Sequence, residues 1–177
     1  SYDTAQESFT QRYDHQTIAM GFSITEEAME DNLYDSLSSR YTKALARAMN
    51  YTKQVKSMVP FNDGFTATTG YLSGDGDQLF STSHSIVQGA ALSNRPSTAV
   101  DLNETSIGYT VNHYLTDTNA FFIKTDVPNG LKYFERIGMA TSMDGDFDSG
   151  NVRYKARERY SFGVSDYLGI WGSPGSS

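Results

Sequence analysis

Between Thr25 and Val59 the chain repeats its apolar and aromatic positions every three or four residues. Met29, Leu33, Leu37, Tyr41, Ala44, Leu45, Ala48, Thr52, Val55 and Val59 fall on one face at the α-helical period. The spacing predicts a single helix over Thr25–Val59. Thr25 supplies an N-cap, Ile24 and Met29 stand at the spacing of a hydrophobic staple, and Pro60 is expected to stop the helix after Val59. Such a helix rises roughly 50 Å, whereas a compact chain of this length has a diameter of about 40 Å. It therefore needs support along its sides from a sheet or from neighbouring subunits, which predicts an elongated, plate-like body. Asn32, Asp35 and Ser36 interrupt any clean heptad and argue against a coiled coil.

Around this helix the pattern changes to strands and turns. Residues 1–22 mix Tyr2, Phe9, Tyr13, Ile18, Met20 and Phe22 with polar positions and read as strands. Residues 60–100 are loop-rich, with turn signals at Asn62-Asp63-Gly64 and from Ser73 to Asp77. Thr98 to Asp101 matches a capping box, yet the helix announced there meets Gly108 and a strand pattern at once. Strands are predicted at Tyr109–Leu115, Ala120–Thr125, Leu131–Met139 and Val152–Val164. Turns are expected at Asp117-Thr118-Asn119, Pro128-Asn129-Gly130 and Asp144-Gly145-Asp146. The last strand alternates most clearly. Val152, Tyr154, Ala156, Tyr160, Phe162 and Val164 take one face, interrupted by Glu158, and Arg153, Lys155, Arg157 and Arg159 take the other.

Charge refines this picture. Glu26, Glu27, Glu30, Asp31 and Asp35 crowd the start of the helical span, and Arg40, Lys43, Arg47, Lys53 and Lys56 fill its second half, an order that complements the helix dipole. The net charge of -7 argues against a dedicated nucleic-acid binder held by phosphate contacts. Cysteine is absent, which excludes disulfides and thiolate metal sites. No apolar run reaches the roughly 20 residues that span a bilayer, and the opening SYDTAQESFTQRYD lacks the blocks of a signal peptide. The 12 Tyr and 10 Phe supply material both for a core and for contact surfaces that suit protein partners.

Candidate chemistry is thin. His15, His84 and His113 lie far apart without the spacing of a metal site. Ser81, His84 and Asp77 supply the residue types of a catalytic triad but no nucleophile elbow. Asp144, Asp146 and Asp148 alternate as in a calcium loop, but the glycine and closing glutamate positions hold Ser149 and Lys155. Asp75 and Asp77, set between glycines, read as turn residues. The basic row of Arg153, Lys155, Arg157 and Arg159 is open to three readings: a DNA contact, an acidic patch such as Glu26 to Asp35 on a partner, or a solvated sheet face. No catalytic, cofactor-binding or metal residues are assigned.

Several stretches taken together resemble one family. YDTAQESFTQRYDHQTIAMGFSITEEAMEDNLYDSL, LFSTSHSIVQGAALSNRPSTAVDLNE, TDVPNGLKYFER and DGDFDSGNVRYKARERYSFGVSDYLGIWGS are similar to the major capsid proteins of tailed bacteriophages, which have the HK-97-type capsid fold. The resemblance implies an α+β chain with a long spine helix, an extended loop and an antiparallel sheet. Residues 1–22 would be the later part of the extended loop, 23–60 the peripheral-domain spine helix, 61–125 a partial axial domain, and 126–177 peripheral-domain strands and the C-terminus. It further implies several tens of residues between Ile107 and Gly108, and an N-terminal arm ahead of Ser1.

The function implied is that of a non-enzymatic structural protein. It would assemble in the bacterial host cytoplasm, through hexamers and pentamers, into the icosahedral virion capsid that encloses double-stranded DNA. Scaffolding, decoration and portal proteins are further implied partners, DNA is contacted non-specifically, and no membrane or cofactor is involved. Under this reading Arg153, Lys155, Arg157, Arg159, Glu26, Glu27, Glu30, Asp31, Tyr2, Phe9 and Tyr13 are the expected inter-subunit contacts. Some members cross-link through Lys-Asn isopeptide bonds, but residues 1–22 contain no Lys. An encapsulin-like nanocompartment shell is the alternative on the same fold. A small β-rich hydrolase or glycan-binding module is the remote one.

Overall fold

The computed structural model describes residues 9–31, 34–67, 71–86, 89–100 and 110–176. In chain order the elements are β1 (Gln16–Ile24), α1 (Glu26–Glu30), α2 (Tyr34–Asn62), β2 (Phe121–Lys124), β3 (Leu131–Gly145), β4 (Val152–Val164), a 3-10 turn (Tyr167–Gly169) and β5 (Ile170–Ser173). The strands form two antiparallel sheets, one ordered β1-β4-β3 and the other pairing β2 with β5. The chain divides into two compact units. The first draws on Ser1–Tyr13, Ser57–Tyr133 and Phe162–Ser177, the second on Asp14–Lys56 and Phe134–Ser161.

The single helix expected over Thr25–Val59 is two. Thr25 caps α1 as predicted, its hydroxyl accepting from the amide of Ala28. That helix ends at Asp31, whose amide reaches back to Glu27 and Met29. Acidic side chains at Glu30 and Asp31 lie at the negative end of the helix dipole, and Asp competes for nearby backbone groups, so the first turn does not propagate. The second helix runs three residues past the expected stop, with Pro60 inside its last turn. Proline removes one hydrogen bond there, but Asp63 donates to Val59 and Phe61 is buried in the first unit's core, so packing outweighs the lost bond.

The second unit is a three-stranded sheet with α2 on one face. Leu45 and Met49 of the helix bury against Ala156 of β4, flanked by Ile18 and Phe22 of β1. Phe22 also stacks on Tyr154 at 4.7 Å. The alternation read from Val152 onward holds through Tyr160; beyond it Ser161, Gly163 and Val164 are all buried, so both faces are covered. Glu158, which breaks the apolar row, is almost fully buried and meets Lys53 of α2 at 2.6 Å.

The first unit is built on phenylalanine. Phe61, Leu79, Phe80, Val164 and Ile170 form its core, with Met58, Phe65, Leu115 and Phe122 packed around them. Phe65 stacks on Phe80 at 4.7 Å, and Phe122 meets Phe61 edge-on at 5.0 Å, geometries that suit the ring quadrupoles. The predicted turn at Ser73–Asp77 closes through Ser73 N to Asp77 O at 2.8 Å, and Pro128-Asn129-Gly130 turns with Asn129 at positive φ. Beside that second turn, Gly130 and Gly169 cross backbone to backbone. A Cβ on Gly169 would lie 2.2 Å from the Gly130 Cα. Gly169→Ala is therefore expected to cost about 1–3 kcal/mol by overpacking, measured as a lowered midpoint in urea; an unchanged midpoint would refute this packing.

Four other expectations are corrected. Of the described residues 9–22 only those from Gln16 onward are strand, and residues 1–8 fall outside the described residues. Thr110–Ala120 holds turns in place of the strand expected at Tyr109–Leu115. The reason is competition for its backbone: Asn62 takes the carbonyl of Tyr114 and the amide of Thr116, and Asn112 caps the amide of Tyr114. β3 continues through Asp144 and Gly145, so the hairpin turn spans Asp146 to Asn151. β5 was unforeseen because Gly169 and Gly172 interrupt its apolar run. The capping box and short helix expected around residues 98–107 extend into residues 101–107, outside the described residues.

Candidate functional site

Among its described residues the second unit presents two exposed surfaces. In the β1–β4 pairing Ser23 stands opposite Arg153, Gly21 opposite Lys155, Ala19 opposite Arg157 and Thr17 opposite Arg159. Directly opposed residues share a sheet face, so the basic row runs beside a row of small side chains, on the face away from Leu45 and Met49. Arg153, Lys155 and Arg157 are exposed, and Arg159 is half-buried. On the other flank, Tyr133 packs on Phe162 at 5.2 Å, and Asp146 pairs with Asn151 across the hairpin. Strand alternation then sets Gly138, Ala140 and Ser142 of β3 on the basic side. The result is a basic ridge between two rows of small residues.

The second open surface is β3 itself. It is an edge strand, and every residue from Glu135 to Gly145 is exposed. Ile137, Met139 and Met143, at alternate positions on the helix side, are 38%, 53% and 61% exposed. α2 packs on β1 and β4 and leaves this apolar row uncovered. At the end of the strand, the hairpin turn holds Phe147 at 101% exposure. A long apolar edge without proline is a ready template for another chain.

Other predicted contact residues divide. Glu26, Glu27, Glu30 and Asp31 are exposed along α1, and Glu26 is tied to the hairpin through its amide and Asn151 Oδ1 at 3.3 Å. Phe9 is exposed, Tyr2 falls outside the described residues, and Tyr13 is engaged within its own unit. Its hydroxyl is 3.0 Å from Ser165 Oγ, and its ring occupies the space a Cβ on Gly163 would need. Phe147 and the apolar row of β3 were not singled out from sequence. The available signal was an isolated Phe flanked by Asp146 and Asp148 in a polar turn.

The histidines do not form a site. His113 is exposed, and His15 sits 3.3 Å from Ser161 Oγ. His84 is fully buried, stacked on Tyr167 at 4.0 Å, and its partners differ from those of the triad considered above. Nδ1 faces Asp75 Oδ2 at 2.9 Å, and Nε2 faces Asn94 Oδ1 at 3.1 Å. The Asn94 amide is fixed in orientation because Nδ2 donates to the carbonyls of Leu79 and Tyr167, while Oδ1 accepts from Ser81 N. Both ring nitrogens thus face oxygen partners, with no nucleophile on either. Ser81 Oγ instead accepts from the amide of Ser83. Ligand atoms of Asp75, Asp77 and His84 lie within 4.8 Å of one another, but a cation on either His84 nitrogen would displace an existing hydrogen bond. The cluster is a structural clasp for the loops around it.

Burial pushes the Asp75 carboxyl up, but hydrogen bonds from His84 and the amide of Asp77, the His84 charge and the amide of Ser85 outweigh it and hold Asp75 below 3.8. A carboxyl held low on folding stabilises above its unfolded pKa and loses that contribution as pH falls through the folded one. Asp75→Asn is expected to lower the melting temperature at neutral pH and to flatten the loss of stability below about pH 3.8. Thermal melts across pH check this; parallel curves for variant and parent would sink it.

Asp144, Asp146 and Asp148 do not converge as a calcium loop. Asp144 lies in β3, and Asp146 Oδ2 accepts from Arg153 at 2.5 Å and from Ser149 at 2.6 Å. No described helix is long and apolar enough to cross a membrane.

No protein-family model matches the sequence, and no curated protein does. Among solved structures the chain is similar to the bacteriophage JBD30 capsid, with a TM-score of 0.61 and 14% sequence identity over 100% of this chain and 58% of that one. The α+β fold is that of a phage capsid protein, and the chain spans little more than half the length of the protein it matches.

Proposed function

We propose that the chain is a structural shell subunit, the major capsid protein of a tailed bacteriophage. It self-assembles into the icosahedral head around double-stranded DNA and resides in the virion. The observation that carries this reading is β3, an edge strand exposed from Glu135 to Gly145 and studded with apolar side chains. A monomer gains nothing from such a strand and is at risk of aggregation; in an assembly it becomes contact surface. The fold shared with a phage capsid supports the same reading. The mechanism is geometric: many modest contacts between identical copies add up through multivalency.

Within this reading the α2 and β1-β4-β3 unit serves as the peripheral domain. Residues 61–125 contribute to an axial domain, and residues 1–22 to a loop reaching a neighbour. Arg153, Lys155, Arg157 and Arg159 meet the acids of another copy. Portal, scaffolding and decoration proteins are partners of the assembled head. The test is expression of the full gene in bacteria, followed by gradient sedimentation and electron microscopy. Uniform closed shells are expected, and a stable monomer at high concentration would overturn the reading. Shells filled with protein cargo would shift it to a nanocompartment.

A further inference from the structure

We infer that the Phe147 hairpin tip and the acidic helix α1 form one rigid plug, which docks onto the basic open face of a second copy. This deepens the shell reading and rests on it. The plug is built, not incidental. Asp146 N donates to Asn151 O at 2.8 Å and Gly150 N to Asp146 O at 2.9 Å, while the Asp146 carboxylate accepts from both Ser149 and Arg153. Gly150 sits at positive φ, and a Cβ there would lie 2.1 Å from Glu26 Oε2. The bond from Glu26 N to Asn151 Oδ1 ties the start of α1 to the turn. A fully exposed aromatic ring is thereby presented on a locked loop, beside exposed Glu26, Glu27, Glu30 and Asp31. Rigid aromatic anchors are the side chains that dominate interface energetics.

The complementary surface lies on the same chain. Among the described residues Lys155, Arg157 and Arg159 make no ion pair, and Arg159 Nε is buried without a hydrogen-bond partner. Alternate residues of a strand are about 6.8 Å apart, and residues four apart on a helix rise about 6 Å. The carboxylates of Glu26 and Glu30, or of Glu27 and Asp31, therefore step in near register with successive cations of the ridge. Ala19 and Gly21 on one flank, with Gly138 and Ala140 on the other, leave shallow room beside the ridge for the ring of Phe147. Charge complementarity selects a second copy as the occupant. Because plug and ridge are different surfaces, the contact can repeat head-to-tail from copy to copy, which builds rings and closed cages.

The experiment compares assembly thresholds of the full gene product by light scattering and electron microscopy. The variants are Phe147→Ser, the pair Lys155→Glu with Arg157→Glu, the pair Glu27→Lys with Glu30→Lys, and the two charge-reversed pairs combined. All substituted side chains are exposed, and circular dichroism verifies that each variant folds. Phe147→Ser and each reversed pair are expected to raise the threshold concentration by about tenfold or more, and the combined reversal to recover most of that loss. If the parent forms shells and these variants do so at the parental threshold, the plug is refuted while the shell reading stands. If the parent forms no shells, the shell reading itself fails. Normal shells that no longer retain DNA when Lys155 and Arg157 are reversed would assign the ridge to phosphate contacts and overturn the subunit partner.

Discussion

His84→Ala is expected to lower the stability of the phenylalanine-cored unit by about 3–5 kcal/mol. The ring is fully buried between Tyr167, Asp75 and Asn94. Its removal leaves the Asp75 carboxylate, also without solvent exposure, deprived of its hydrogen-bond partner, and it opens a cavity against Tyr167. Urea denaturation followed by fluorescence of Trp171, which lies in the same unit, reports the change. If His84 were instead a metal ligand, chelators would lower the stability of the parent protein and leave His84→Ala unaffected. Insensitivity of the parent to chelator, combined with a large loss in the variant, is the result that fits the clasp.

Lys53→Ala is expected to destabilise the sheet-and-helix unit by about 3 kcal/mol, at the low end for breaking a buried pair because Lys53 keeps some contact with solvent. Its ammonium lies 2.6 Å from Glu158 Oε2 and 5.3 Å from the centre of the Tyr160 ring. Glu158 is the more deeply buried partner, with its side chain 2% exposed against 32% for Lys53, and its Oε1 has no hydrogen-bond partner among the described residues. Replacing both, Lys53→Met with Glu158→Leu, is expected to recover most of the loss, since well-packed apolar groups substitute for buried ion pairs at little net cost. A double variant as unstable as the single one would show that the pair contributes more than charge compensation.

These two sites show how far the sequence could be read. Glu158 stood out as an interruption of an otherwise apolar row, and a buried carboxylate in such a row calls for a cation. Which of five basic residues on the helix answers it depends on how α2 lies across β4, which no local pattern encodes. His84 carried less warning. Its partner is Asp75 and not the Asp77 of the triad considered, and Asn94, ten residues further on, supplies the second acceptor. The loop that joins them follows from the fold of the whole segment.

The same distinction applies to the open surfaces. Alternation along Val152–Tyr160 was enough to put Arg153, Lys155, Arg157 and Arg159 on one face. Whether that face is covered, and by what, required the pairing with the small residues of β1. The apolar row of β3 was passed over because an apolar residue in a strand ordinarily predicts burial. Here the helix that covers the neighbouring strands stops short of this one.

By itself the sequence determined the N-cap at Thr25, the helical period that follows, the two-faced pattern of β4, and the turns at Ser73–Asp77 and Pro128–Gly130, because each depends on residues close together in the chain. Only the tertiary structure decided that Pro60 stays within its helix, that Thr110–Ala120 is not a strand, and that Lys53 meets Glu158. It also decided that β3 and Phe147 remain exposed. Burial and hydrogen-bond competition between distant segments settle those outcomes, and their energies exceed the local preferences from which a sequence is read.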